Sequence, residues 1–244
     1  MKTIIRVSLL LSIVALWAGS AALLSAQTVI FNNSSNILGS TYYPGTTQVQ
    51  VGNEILLAPG TPRFLTTFSF EFYGTNTASP TSFAGSPTVE VRFYENNGTP
   101  PSPGGPPSPG PTPFYDSGPL SLTSPPIGAT PGQLTLVFTA GPDFPSSGLL
   151  IPTSDMTWTV QFGGLGATDS LGLDYYYPAT VGQTYGDYWA YNGTSWTLET
   201  NSLVPLGSFG AYMAATVPEP STLSLSLLGG VGILALARRL RRKD

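Results

Sequence analysis

Apolar and polar residues alternate with period two along much of the chain. Phe68, Phe70 and Phe72 alternate with Ser69, Glu71 and Tyr73. Val89, Val91 and Phe93 alternate with Glu90, Arg92 and Tyr94, and Met156, Trp158, Val160 and Phe162 with Thr157, Thr159 and Gln161. Successive side chains of a strand point to opposite faces, so each run predicts a strand with one buried and one wet face. Further strands are predicted at 28–31, 48–51, 55–58, 134–139, 171–177, 187–191, 195–199 and 208–214 from their β-branched and aromatic content. Asn192-Gly193, between two aromatic-rich runs, is a hairpin-turn signal. About eleven short strands punctuated by Gly, Pro and Asn predict an all-β fold, a jelly-roll-like β-sandwich.

One stretch interrupts this pattern. Eight of the fourteen residues in 100–113 are proline, a composition usual in linkers. The flanking segments are both strand-like, and neither has enough sequence for a core of its own. The stretch therefore reads as a long disordered or polyproline loop inside a single ectodomain, residues 27–216.

The two ends differ from the middle. Lys2 and Arg6 precede an apolar core, residues 7–17, and mostly small residues follow to Ala26. This is the layout of a signal peptide over 1–26, helical in its apolar core, with cleavage after Ala22 or Ala26. At the other end, residues 217–244 form a tail of three parts. Val217, Pro218, Glu219 and Pro220 come first; the two prolines hold Glu219 on a stiff, non-helical stretch. An uncharged run, 222–237, follows and would cover about 24 Å as a helix. Against a hydrocarbon core of about 30 Å that is short, so flanking side chains must complete a transmembrane helix. Arg238, Arg239, Arg241, Arg242 and Lys243 come last, a basic stop that stays cytoplasmic and places the rest of the chain outside.

Motif, apolar run and basic stop in this order resemble a PEP-CTERM sorting signal, the tail recognised by exosortases in Gram-negative bacteria. The resemblance implies that Pro218, Glu219 and Pro220 are read by the exosortase, a transient partner, and that the tail is then removed. Before that step the run 222–237 holds the chain in the inner membrane. Its destination is then the cell envelope, the cell surface or the extracellular matrix. A looser resemblance runs through the ectodomain. Residues 89–94, Phe114-Tyr115-Asp116-Ser117-Gly118-Pro119, Asp187-Tyr188-Trp189, Asn192-Gly193 and Trp196 resemble a recurring domain of exported PEP-CTERM proteins, which brings no activity with it.

Charge and missing residue types narrow the function. With both ends set aside, Arg63 and Arg92 face eleven acids, a formal charge of −9 against −4 for the whole chain. Such a domain does not attract nucleic acid. Histidine and cysteine are absent, which removes imidazole and thiolate metal sites and the Ser-His-Asp and Cys-His nucleophiles. The ectodomain also has no lysine, so only carboxylate chemistry is left, with Glu71, Glu90 and Glu95 as nominal glycosidase acids. Solvated strand faces account for Glu71 and Glu90 more simply. No enzyme activity and no cofactor is expected.

Late aromatics are the other candidate. Exposed Tyr and Trp rings stack on sugars, so Tyr188, Trp189 and Trp196 are candidate glycan-binding residues. Strand alternation sends about half of such a cluster into the core. Asp169, Asp174 and Asp187 are loop-side candidates for Ca²⁺, although they lack the spacing of a calcium loop. The leading expectation is a non-enzymatic structural or adhesive protein of the exopolysaccharide or biofilm matrix. A jelly-roll carbohydrate-binding module is second and a carboxylate glycosidase third.

Overall fold

The computed structural model describes residues 27–60, 63–79, 82–122, 134–200, 204 and 206–216. The helices expected in 1–26 and in 217–244 lie outside the described residues, as do the sorting motif and the basic stop. Among the described residues no helix is long and apolar enough to cross a membrane.

In chain order the strands are β1 (Gln27–Asn32), β2 (Ile37–Tyr42), β3 (Gln50–Leu56), β4 (Phe64–Asn76), β5 (Thr88–Glu95), β6 (Tyr115–Asp116), β7 (Leu120–Ser121) and β8 (Leu134–Thr139). Then come β9 (Leu149–Leu150), β10 (Asp155–Gly163), β11 (Asp169–Tyr176), β12 (Gln183–Thr184), β13 (Asp187–Tyr191), β14 (Trp196–Thr200), β15 (Ser208–Phe209) and β16 (Ala211–Thr216).

They form two antiparallel sheets. The first runs β1-β16-β4-β11-β15, with β2 beside β11, and β8 and β9 on the free side of β4. The second runs β14-β13-β3-β10-β5-β6, with β12 beside β3 and β7 beside β5. Strand β4 organises the first sheet because it is long enough to take two partners on each edge: β9 then β8 on one, β16 then β11 on the other. In the second sheet β10 pairs with β3 over Asp155–Val160 and with β5 over Met156–Gly163.

Alternation places Phe68, Phe70 and Phe72 of β4 opposite Val89, Val91 and Phe93 of β5 and Met156, Trp158 and Val160 of β10, all in one buried cluster. Rings meet across the gap between the sheets: Phe68 lies 5.0 Å from Phe93 and 5.5 Å from Trp158, both edge-on. Edge-on contact sets the positive rim of one ring against the negative face of the next. The described residues are therefore all-β, with two antiparallel sheets packed as a sandwich, and Gln27–Thr216 form one compact unit.

A polar staple also joins the sheets. Asn53, fully buried on β3, donates from Nδ2 to the Asp187 carbonyl at 2.7 Å, and its Oδ1 accepts from the Phe209 N–H at 2.6 Å. One side chain thus satisfies a backbone group of each sheet.

Two sequence expectations change here. The strands read at 48–51 and 55–58 are one strand, β3, because Gly52-Asn53-Glu54 is not a turn. A Cβ at Gly52 would collide with the Trp158 carbonyl, so a glycine lets β3 lie against β10. The proline-rich stretch is not disordered either. It joins β5 to β6, neighbours in the same sheet, and its arms fold back on themselves. Gly98 N–H donates to the Ser108 carbonyl and Gly110 N–H to the Glu95 carbonyl, each at 2.8 Å, and Gly105 N–H to Ser102 at 3.0 Å. Proline has no N–H to give, so in these three bonds the glycines supply the donors. Side chains at Gly98 and Gly110 would strike Ser108 and Asn97. Ser108, Pro109 and Gly110 are buried as a result.

Candidate functional site

The folded loop stands over the outer face of the second sheet and makes one wall of an open cleft of about 730 Å³. The opposite wall comes from the β13–β14 hairpin. Asn192 shapes its turn: Oδ1 accepts the N–H groups of Thr194 and Ser195, both at 2.9 Å. This brings Tyr191 and Trp196 into register across the hairpin, with ring centres 4.8 Å apart and planes 40° apart. Tyr94 of β5 meets Trp196 edge-on at 5.4 Å.

The floor is fixed by hydrogen bonds. Gln50 Oε1 accepts the Tyr94 hydroxyl at 3.0 Å and the Thr159 hydroxyl at 3.1 Å, which leaves the Gln50 amide NH₂ as the donor it has to offer. Burial pushes the Tyr94 phenol up to about 12, so it stays neutral. The rims are polar, with Asn97, Thr99, Thr194 and Ser195. Rigid aromatic faces beside hydroxyls and amides suit a ligand that has both C–H faces and a rim of hydroxyls, as a sugar ring does.

Of the three aromatics singled out in the sequence, Trp196 lines this cleft. The other two do not. Tyr188 points inward, 4.9 Å from the Tyr42 ring and 5.5 Å from Phe209, and is 8 % exposed. Trp189 points outward, yet it is 0 % exposed; it lies over Gly52 and donates its indole N–H to Glu54 Oε2 at 3.2 Å. Strand alternation puts the adjacent Tyr188 and Trp189 on opposite faces, but an outward direction is not exposure where the outer face is itself covered. Sequence reasoning missed Gln50 and Tyr94 as site residues. Tyr94 was legible, since it falls on the wet face of β5 beside Glu90 and Arg92.

The aspartates are not brought together. Asp169 and Asp174 sit five residues apart on β11, hence on opposite faces, and Asp187 is in the other sheet. Asp169 Oδ1 and Oδ2 accept the N–H groups of Ala84, Gly85 and Gly166, all at 2.8 Å. Desolvation, the largest single influence, works to raise its pKa, but the three donors together outweigh it and lower the value. Asp174 is buried and accepts the Thr41 hydroxyl at 2.6 Å; burial raises its pKa against that bond. Among the described residues no group of three or more His, Cys, Asp or Glu is set to hold a metal ion.

The nominal acids are scattered too. Glu71 lies on β4 of the first sheet, where Oε2 accepts the Thr135 hydroxyl at 2.8 Å. Glu90 and Glu95 lie five residues apart on β5 and so face opposite ways. Glu90 is paired with Arg92, which also binds Asp116 at 2.8 Å.

The geometry of the sandwich says nothing about its destination; the tail does. A protein-family model for the PEP-CTERM protein-sorting motif matches residues 216–243. The chain carries a PEP-CTERM sorting signal. Such a signal implies an exported protein, sorted at the membrane and processed in dependence on an exosortase in a Gram-negative bacterium. Pro218, Glu219 and Pro220 and the five basic residues 238–243 fall within the match. No curated protein matches the chain.

Proposed function

We propose that this protein is a non-enzymatic adhesive element of the cell envelope or extracellular matrix, which holds polysaccharide in the cleft between the proline-rich loop and the β13–β14 hairpin. The observation that carries the reading is the aromatic pair Tyr191 and Trp196 beside the hydrogen-bonded Gln50–Tyr94–Thr159 floor. An adhesive role joins two readings of the sequence, the matrix protein and the jelly-roll carbohydrate-binding module. The adjacency of the first and last strands, β1 and β16, is in keeping with a jelly-roll form of the sandwich. A glycosidase is disfavoured because Glu71, Glu90 and Glu95 are divided between two sheets and two faces, whereas that chemistry needs two carboxyl groups facing each other across about 5–9.5 Å.

Delivery and binding are tested separately. In a host with an exosortase, intact-mass analysis is expected to show a protein without Arg238–Lys243, and Glu219→Ala is expected to abolish surface delivery. A mature protein that retains Arg238–Lys243 overturns the processing. For binding, the purified full chain in mild detergent is applied to a polysaccharide array; a blank array overturns the adhesive reading.

A further inference from the structure

The cleft has a property that its surroundings lack. Fourteen residues line it and none of them is charged, in a unit where eleven acids face two arginines. Of the two arginines, Arg92 is committed to Glu90 and Asp116, and Arg63, just before β4, is not among the lining residues.

Charge decides between two kinds of polysaccharide. An acidic polymer brings its carboxylates to a unit of formal charge −9, with no cation in the lining to receive them. The repulsion is strongest at low salt, where screening reaches least. A neutral polymer meets no such penalty. It gains ring stacking on Tyr191 and Trp196 and finds both donors and acceptors in Gln50, Asn97, Ser195 and Thr194. Gln50 is buried, and its carbonyl is already committed, so its orientation is set before any ligand arrives.

The loop adds preorganisation. Its bonds from Gly98, Gly105 and Gly110 are internal to the loop and its stem, and proline restricts the backbone between them. A wall that is ordered beforehand costs little entropy on binding. An open cleft of about 730 Å³ accommodates a segment of chain instead of a single small ion.

Resting on the polysaccharide reading, we infer that the ligand is an uncharged saccharide chain that lies on the Tyr191–Trp196 pair and runs along the Ser108–Pro111 wall, and that acidic polysaccharides are excluded.

The test uses the full chain in mild detergent and two sets of soluble polymers: dextran, galactomannan and xyloglucan as neutral probes, alginate and polygalacturonate as acidic ones. Affinity electrophoresis or calorimetry is run at low and high salt. A neutral polymer is expected to bind, with an affinity that changes less than about threefold between 20 and 300 mM salt. Trp196→Ala is expected to lose at least about tenfold in affinity, and Trp196→Phe, which keeps an aromatic face, to stay within about threefold. A melting curve on each variant identifies loss through unfolding, and the corresponding pair at Tyr191 (Tyr191→Ala, Tyr191→Phe) serves if Trp196→Ala does not fold. Acidic polymers bound as well as or better than neutral ones, with salt weakening the complex, overturn the inference and leave the polysaccharide reading standing. Neutral binding that survives both alanine variants overturns the assignment to this cleft. No binding to either set overturns both readings.

Discussion

Glu54 offers a test of how the second sheet is held together. It lies on the outer face of β3, 8 % exposed, under the indole of Trp189. Burial drives its pKa from the usual 4.5 up to about 7; the Trp189 N–H opposes this, and Asp155 and Asp187 nearby push in the same direction as burial. The unfolded carboxyl releases its proton near 4.5 and the folded one near 7, so folding takes up a proton between these values. Stability from this group is unimpaired below the unfolded value and falls as pH rises through the folded one. At about 1.4 kcal/mol per pH unit the full shift amounts to about 3 kcal/mol. Partial screening at the sheet surface brings the expected loss to about 1–3 kcal/mol. Glu54→Gln keeps the size and an acceptor for Trp189 but cannot ionise. The variant is expected to match the parent at pH 4.5 and to exceed it at pH 8 by this amount, or by about 3–10 °C in melting temperature for a domain of this size. Thermal and urea unfolding of residues 27–216, followed by tryptophan fluorescence at both pH values, measures it. A variant with the same pH slope as the parent would show that Glu54 is not the proton acceptor.

Three other substitutions probe separate contacts. Asn53→Leu removes the staple and leaves the Phe209 N–H and the Asp187 carbonyl without their partner; urea unfolding is expected to show a loss of about 2–4 kcal/mol. Arg63 is buried, with Nε and Nη1 unpartnered and Nη2 bonded to the Ala58 carbonyl. Replacing a desolvated, unpaired cation by Met is expected to leave stability equal or higher, and a loss above about 2 kcal/mol contradicts that account. Asp169→Asn removes a carboxylate whose folded pKa is lowered. That carboxylate supports the fold above its unfolded pKa and loses its effect as pH falls through the folded one, so the variant is expected to show less acid destabilisation between pH 5 and 3.

The sheets were largely legible in the sequence because period-two alternation is a property of the buried face. β4, β5 and β10 emerge directly from it. What was not legible depends on bonds made at a distance along the chain. β3 was split in two because Gly, Asn and Glu in a row look like a turn; a close backbone approach, the staple and the Trp189 indole make each of them a strand residue. β2 was missed because Ile37 and Leu38 are exposed and Gly39 has a positive φ, so no buried face marks it. The cleft was half legible. Trp196 was named, but Gln50 becomes part of it through hydroxyls 44 and 109 residues away, and the proline-rich wall exists only because three glycines place donors where proline has none.

The position of β16 between β1 and β4 bears on how the sandwich can close. Gln27 pairs with Thr216, so the first residue of the sandwich lies beside its last, and β16 also pairs with β4 through Phe64–Phe70. Until β16 is in place the first sheet has a slot between β1 and β4, and the strand that fills it is the last of the sandwich in chain order, immediately ahead of the sorting signal. Closure of the sheet therefore needs the whole of 27–216, and pairing of such distant segments is slow to form. A cut anywhere beyond Thr216 leaves every described strand of the sandwich in place.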